Sequence, residues 1–304
     1  MSPTPPMRAS LPVLLETSGW PDYALVDSGE GEKLERYGRY TIVRPEPQAM
    51  WRRRLPAARW DSADAVFTGG KDEEADGRWR YRKPLPETWP MSYEGVSFLG
   101  RFTAFRHVGV FPEQDTHWAW MTRLVSESKH PSKVLNLFAY TGLASLLAAR
   151  AGAAVTHVDA SKKAIGWARE NQAASALGDL PIRWIMDDAV KFAEREERRG
   201  NRYDGIVLDP PKFGRGPKGE VWDLFLDLAD LLRLCRRLLS DDPLFFIVTA
   251  YAVRASFVSI HETTAEALAG LGGHLESGEL LLREEGPGSR VLSTSLFSRW
   301  SADG

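Results

Sequence analysis

The sequence predicts an α/β protein: a doubly wound, mostly parallel sheet carrying most of the chain, with a smaller β-rich domain in front of it. Three observations predict this. Between residues 133 and 271, apolar runs of strand length alternate with longer stretches of helical periodicity. A turn or an acidic residue stands directly behind the first four runs: Gly142, Asp159, Asp187-Asp188 and Asp209-Pro210-Pro211. Two final β-like runs, about 275–283 and 291–300, lie only a Gly286-Pro287-Gly288 loop apart, so they should close the sheet as an antiparallel pair.

The elements follow in chain order. Residues 1–12, with Pro3, Pro5 and Pro6, are expected to be a disordered tail and not a signal peptide. Residues 13–100 are expected to form an N-terminal β-rich substrate-recognition domain, and 101–304 the α/β domain. Within 23–44, two short strands surround a Gly-rich turn, and Pro45 and Pro47 end them. Trp51-Arg52-Arg53-Arg54 and Arg59-Trp60 set cations beside indoles. In 77–84, Arg78, Arg80 and Arg82 alternate with Trp79 and Tyr81, which in a strand separates arginines from rings. Eight Lys and Arg stand against two Glu between Lys33 and Arg59. These cations and aromatics suit phosphates and stacked bases. They equally suit an amphipathic layer with buried Trp and arginines paired to Glu73, Glu74 and Asp76. Two more short strands are expected in 96–110 around Gly100 and His107, then a helix over 116–129.

The core then reads strand 134–138, helix 141–151, strand 154–158, helix 162–176, strand 183–186, a helix to about 198, strand 203–208, helix 222–239, strand 244–249 and helix 257–271. Composition narrows the function classes. Charged residues at 26% and hydrophobics at 43% describe a globular chain, and a net charge of -2 argues against a whole-protein polyanion binder. A single cysteine, Cys235, excludes an intramolecular disulfide framework and fits a reducing compartment, so the expected location is cytoplasmic. No apolar run is long enough for a membrane span, and the six scattered histidines form no metal pattern.

Four sites carry the candidate chemistry. The opening turn, 133–142, has one glycine, Gly142, where a dinucleotide fold needs several for backbone approach to a pyrophosphate. Phe138 and Tyr140 flank it and would suit a cation such as a sulfonium, or would simply pack under neighbouring loops. Asp159 ends the next strand, where a carboxylate can accept both ribose hydroxyls; otherwise it caps the following helix, a task Ser161 performs equally well. Of Asp187 and Asp188, one can accept from an adenine amine while the other caps; Asp188 is preferred for the adenine. Asp209-Pro210-Pro211-Lys212-Phe213-Gly214 is the most specific signal. Its two prolines fix where Asp209 points and leave carbonyls to accept beside it, and Phe213 can stack on a planar base. Gly214, Gly216 and Gly219 suggest a mobile loop behind it.

Asn136-Leu137-Phe138-Ala139-Tyr140-Thr141-Gly142, Asp159, Asp188 and Asp209–Phe213 together resemble the class I S-adenosylmethionine-dependent methyltransferases, and within them the bacterial large-subunit rRNA methyltransferase group. The resemblance spans roughly 100–300. It implies a Rossmann-like sheet of seven strands. It implies S-adenosyl-L-methionine bound by Asn136, Phe138, Ala139, Tyr140, Thr141, Gly142, Asp159, Asp188 and Asp209. It also places the segment 111–114, and Gln114 with it, against the cofactor. It makes Asp209, Pro210 and Phe213 the catalytic face and RNA, ribosomal RNA in particular, the substrate partner. Cytosine-5 members attack the base with a cysteine after the fifth strand. Here that run is Val248-Thr249-Ala250-Tyr251, and Cys235 sits in a helical pattern, so direct in-line transfer to a nitrogen or oxygen is expected, with a nucleobase nitrogen of RNA as the leading reading. A methyltransferase of the same fold acting on a small molecule or a protein is the alternative, and a non-catalytic cofactor-binding module is the third reading.

Overall fold

A computed structural model describes residues 12–69, 77–251 and 253–302. The tail expected over 1–12 lies outside the described residues except at Pro12, as do Glu73, Glu74 and Asp76. The central sheet has eight strands, in the spatial order Val13–Thr17, His274–Arg283, Val291–Ser301, Phe245–Tyr251, Gly205–Leu208, Lys133–Leu137, Ala154–Asp159, Ile182–Met186. The five strands between residues 133 and 251 run parallel, and Val291–Ser301 is antiparallel to both its neighbours.

Alternation along these strands explains the two-sided core. Val134, Val155, Val207, Phe245 and Ile247 point to one face, under the helices Asp115–Glu127 and Leu143–Arg150. Leu135, Leu137, Ile206, Leu208, Phe246 and Val248 point to the other, under Ala189–Arg198, Leu224–Leu238 and Phe257–Ala267. A period of two with apolar residues at both phases is what a strand covered on both sides requires.

The sheet departs from the expected seven strands by one. Val13–Thr17, within the span expected for the N-terminal domain, adds to the outer edge parallel to His274–Arg283. Gly278 makes this possible: a Cβ there would lie 1.8 Å from the Val13 carbonyl oxygen. Nothing in a five-residue strand with three apolar residues, behind a proline-rich stretch, announces so distant a partner.

In front stand a five-stranded sheet in chain order, Tyr23–Gly29, Glu32–Tyr37, Tyr40–Pro45, Ala65–Gly69 and Gly77–Tyr81, and the hairpin Thr88–Tyr93 with Val96–Arg101. The stretch expected as two strands holds three, because Gly38 at φ 59° makes a second turn. The segment after Arg101 is irregular where a second strand was expected. Tyr23, Ile42 and Trp89 join the same apolar cluster as Val134, so the core is continuous between front and rear layers.

Among the tryptophans and arginines of 51–60, packing prevails over exposure. Trp60 is buried and donates to Asp27 Oδ2 at 3.0 Å. Arg53 lies over the Trp60 ring and pairs with Glu30 and Glu32, and Arg54 donates to the Glu285 and Pro287 carbonyls. These cations are committed to the protein itself.

Candidate active site

Register brings the site together. Leu137, Leu208 and Val248 are mutual partners in three adjacent parallel strands, and Val158 lies beside Leu137. The next residues, Phe138, Asp209, Thr249 and Asp159, therefore emerge along one carboxyl edge, where open α/β sheets bind ligands.

The turn after Lys133–Leu137 is tightly specified. Phe138, Tyr140 and Gly142 have φ of 55°, 48° and 83°. For the two aromatics this left-handed backbone costs about 1–2 kcal/mol each. It is held by Tyr140 N–H donating to Asp159 Oδ2 at 2.9 Å and Ala139 N–H to the Val158 carbonyl at 3.1 Å. Thr141 Oγ1 donates to the Gly109 carbonyl at 2.6 Å, and Asn171 Nδ2 to the Thr141 carbonyl at 2.9 Å. The helix Leu143–Arg150 behind it starts at Gly142 with no side-chain cap, so its first amides face the turn. The flanking rings pack: Phe138 against Trp222 at 5.0 Å, Tyr140 against Phe111 at 5.9 Å and Trp167 at 6.0 Å.

Two expectations change here, those for Asn136 and for the Asp187-Asp188 pair, while Asp159 is left free of the capping task. Asn136 is buried beneath the turn and donates to Ser145 Oγ at 2.9 Å, which in turn bonds His157 Nδ1 at 3.0 Å; it braces strand to helix and does not reach the turn's surface. Its position inside the strand, flanked by buried Leu135 and Leu137, is the physical reason. Asp159 does not cap the next helix, since Ser161 accepts from Ala164 N–H; its two oxygens take the Tyr140 and Ser161 amides, and burial raises its pKa. The cap after the third strand is Asp188, through Oδ1 from Lys191 N–H, while Asp187 pairs with Arg195. The division expected between these carboxylates is thus reversed for the cap, and only Oδ2 of Asp188 is left for a ligand.

Asp209 stands at the centre. Gln114 Nε2 donates to its Oδ2 at 3.1 Å, and Thr249 Oγ1 donates to Gln114 Oε1 at 3.4 Å. Desolvation pushes the Asp209 carboxyl up to about 7; buried Glu113 adds to the rise and Gln114 opposes it. Gln114 sits in the 3-10 turn Pro112–Gln114. The segment after Asp209 is a small hairpin, Phe213–Arg215 with Val221–Asp223, where a mobile Gly-rich loop was expected. Trp222 Nε1 donates to the Pro211 carbonyl at 2.7 Å, which takes one of that oxygen's two acceptor positions. Phe213 is half exposed, with Lys212 Nζ 5.0 Å from its ring centre. Sequence reasoning misses Thr249 and Trp222. Thr249 follows from strand register, which spacing alone does not give; Trp222 falls in the span expected as helix, and the helix begins two residues later, at Leu224.

Cys235 is buried inside a helix, and burial raises its thiol pKa. Among the described residues no group of three or more His, Cys, Asp or Glu is placed to hold a metal, and no helix is long and apolar enough to cross a membrane.

Comparison with known proteins agrees with this geometry. A family model described as S-adenosylmethionine-dependent methyltransferase matches residues 57–273. The ribosomal RNA large subunit methyltransferase K/L of Shewanella frigidimarina is 30% identical over 224 residues, 68% of this chain and 30% of that protein. Its counterpart in Pseudoalteromonas atlantica is 36% identical over 217 residues, 66% of this chain and 30% of that protein. The chain thus spans about 30% of the length of these relatives. A crystal structure of a methyltransferase of this cofactor class from Agrobacterium tumefaciens superimposes with a TM-score of 0.94 at 58% identity, covering 99% of this chain and 97% of that one.

Proposed function

The chain belongs to the S-adenosylmethionine-dependent methyltransferase family, and on that premise we propose that it methylates a nucleobase nitrogen of ribosomal RNA by direct in-line transfer. Its cofactor is S-adenosylmethionine, and the site's residues fit it. An uncapped helix start, a turn with one glycine and a carboxylate wedged beside that turn suit an uncharged ribose and an amino acid tail better than a pyrophosphate. Asp159 would take the ribose hydroxyls, Asp188 Oδ2 the adenine amine, and Phe138–Gly142 with Gln114 the rest. The bound cofactor supplies an electrophilic methyl carbon on a cationic sulfur.

The protein's part is positioning. The Asp209 carboxylate and the Pro210 carbonyl accept from the base and aim its nitrogen at the methyl group, and Phe213 stacks on the ring. Held there, the base nitrogen would face the methyl group that the cofactor supplies, and the Asp209 carboxylate would take the proton the nitrogen gives up. The observation that carries this reading is the Gln114–Asp209 hydrogen bond, which fixes a carboxylate at the edge of the cofactor turn with its pKa at about 7. The RNA substrate is supported by the names of the two relatives, and it implies a cytoplasmic enzyme. The β-rich region between residues 13 and 100 is assigned to substrate recognition.

The test is transfer from labelled cofactor to RNA, protein extract and metabolites of a strain lacking the gene. Label in a ribosomal RNA N-methyl nucleoside is expected. Label confined to protein or small molecules overturns the RNA substrate, and absence of cofactor binding by calorimetry overturns the enzyme reading.

A further inference from the structure

Arg53 and Arg54 are consumed by internal contacts, whereas the arginines of the strand Gly77–Tyr81 have no ion pair among the described residues. This strand forms the outer edge of the five-stranded sheet. Arg78 and Arg80 are exposed, and among the described residues neither guanidinium has a carboxylate partner. Exposed Lys83 follows, also without an ion pair among the described residues. On the opposite face Tyr81 is 48% exposed, and Phe105 nearby is 45% exposed. Both belong to a ladder that leads to the active site. Tyr81 and Trp79 stack on Phe102 at 5.1 and 4.7 Å, and Trp79 Nε1 donates to the Thr103 carbonyl at 2.9 Å and the Phe105 carbonyl at 3.3 Å. Thr103 Oγ1 donates to the His107 carbonyl at 2.8 Å. The His107 ring then meets Phe111 at 4.8 Å and Tyr251 at 5.9 Å, and Phe111 meets Tyr140 of the cofactor turn.

We propose that the edge strand Gly77–Tyr81, with Phe105, is a platform for single-stranded RNA, Arg78 and Arg80 contacting phosphates while Tyr81 and Phe105 stack on bases. The inference rests on the RNA substrate argued above. A single strand presents its backbone on one side and its bases on the other. An edge strand with cations on one face and rings on the other matches that division, whereas a duplex keeps its bases inside. Charge complementarity supplies the affinity and the rings supply the preference for unpaired RNA. The platform explains how a chain of net charge -2 can hold a polyanion: its cations are local, exposed and without an ion pair among the described residues.

The test is binding of a fluorescently labelled single-stranded RNA 20-mer, about the length of one OB-type site or more, over a salt series. Wild type is expected to bind, with log affinity falling linearly against log salt. The Arg78→Gln/Arg80→Gln double variant should lower that slope by about 1.4, about 0.7 for each phosphate that is no longer neutralised. Tyr81→Ala and Phe105→Ala should each weaken binding about fivefold or more at unchanged slope. Cofactor affinity, measured by calorimetry, should be unaltered in all variants, which also certifies their fold. If wild type binds but the double variant follows the same salt curve, or if duplex RNA binds as well as single strands, the platform is wrong and the RNA substrate survives. If wild type binds no RNA even at low salt, the RNA substrate itself fails and the platform with it.

Discussion

Asp209 shows how much one carboxylate can decide. Its ordinary pKa is 3.8, and its surroundings raise it to about 7. Above about pH 4 the unfolded chain has lost this proton while the folded protein keeps it. Stability therefore falls as pH rises from about 4 to about 7 and stays reduced above, at a limiting slope of about 1.4 kcal/mol per unit. Part of the side chain remains within reach of solvent, so about 2 kcal/mol is the expected total. Asp209→Asn should leave thermal stability near pH 4 unchanged and raise it at pH 8, and a midpoint gap that does not widen with pH would refute the desolvated carboxylate. The same change should lower kcat about 100-fold, with cofactor affinity nearly intact, because only the ionised oxygen accepts both the base's N–H and its proton. Wild-type single-turnover rates should accordingly rise with pH through the neutral range. That Asp209 matters was legible in Asp-Pro-Pro-Lys-Phe. That Gln114 and Thr249 hold it was not, because their meeting depends on the register of separate elements.

At the scale of the element, the strand–turn–helix of 133–150 depends on Gly142. An added Cβ there would sit 2.9 Å from Ala168 Cβ and 3.3 Å from the Trp184 ring, at a φ of 83° that side chains disfavour. Gly142→Ala should cost about 2–3 kcal/mol in denaturant unfolding, combining backbone strain and overpacking, and should weaken cofactor binding at least tenfold. Gly178→Ala is the control: its Cβ meets nothing within 4 Å, and its stability should stay within about 0.5 kcal/mol of wild type. Equal losses in both variants would remove the special role of the turn. Elements of this kind, with apolar runs between residues 133 and 251 and turn residues behind them, were legible from periodicity alone. Val13–Thr17 and the hairpin Phe213–Arg215 with Val221–Asp223 were not. The first is held by a close approach of distant backbone, Gly278 on Val13, and the second by the Trp222 indole reaching back to the Pro211 carbonyl; a one-dimensional pattern carries no record of either contact.

At the scale of the whole molecule, one guanidinium gathers several of the contacts that tie the first part of the chain to the last. Arg290, in the loop between the final two strands, donates through Nη2 to Asp27 Oδ1 at 2.8 Å, the Ser28 carbonyl at 2.7 Å and Glu284 Oε1 at 2.8 Å. Its Nη1 donates to the Arg52 carbonyl at 2.7 Å, and its plane lies 5.5 Å from the Trp51 ring centre. Asp27 and Glu284 are buried, so removing the cation strips Asp27 of its counter-charge and leaves Glu284 with only Arg54, whose Nε lies 3.8 Å away. Asp27 keeps the Trp60 indole and the Arg54 and Leu55 amides, and Glu284 keeps Ser28, so the loss is partly relieved. Arg290→Ala should therefore destabilise by about 3 kcal/mol, the low end for a broken buried pair. Arg290→Lys should recover only part of it, since an ammonium cannot reach the two carboxylates and two carbonyls in one plane. The front sheet shares its apolar cluster with the rear one, so wild type should unfold in a single transition. In the alanine variant the amide protons of the front strand Tyr23–Gly29 should become exchangeable at lower denaturant than those of the helix Leu143–Arg150. Coincident transitions in that variant would mean that the continuous core, and not the Arg290 clasp, makes the two layers fold as one.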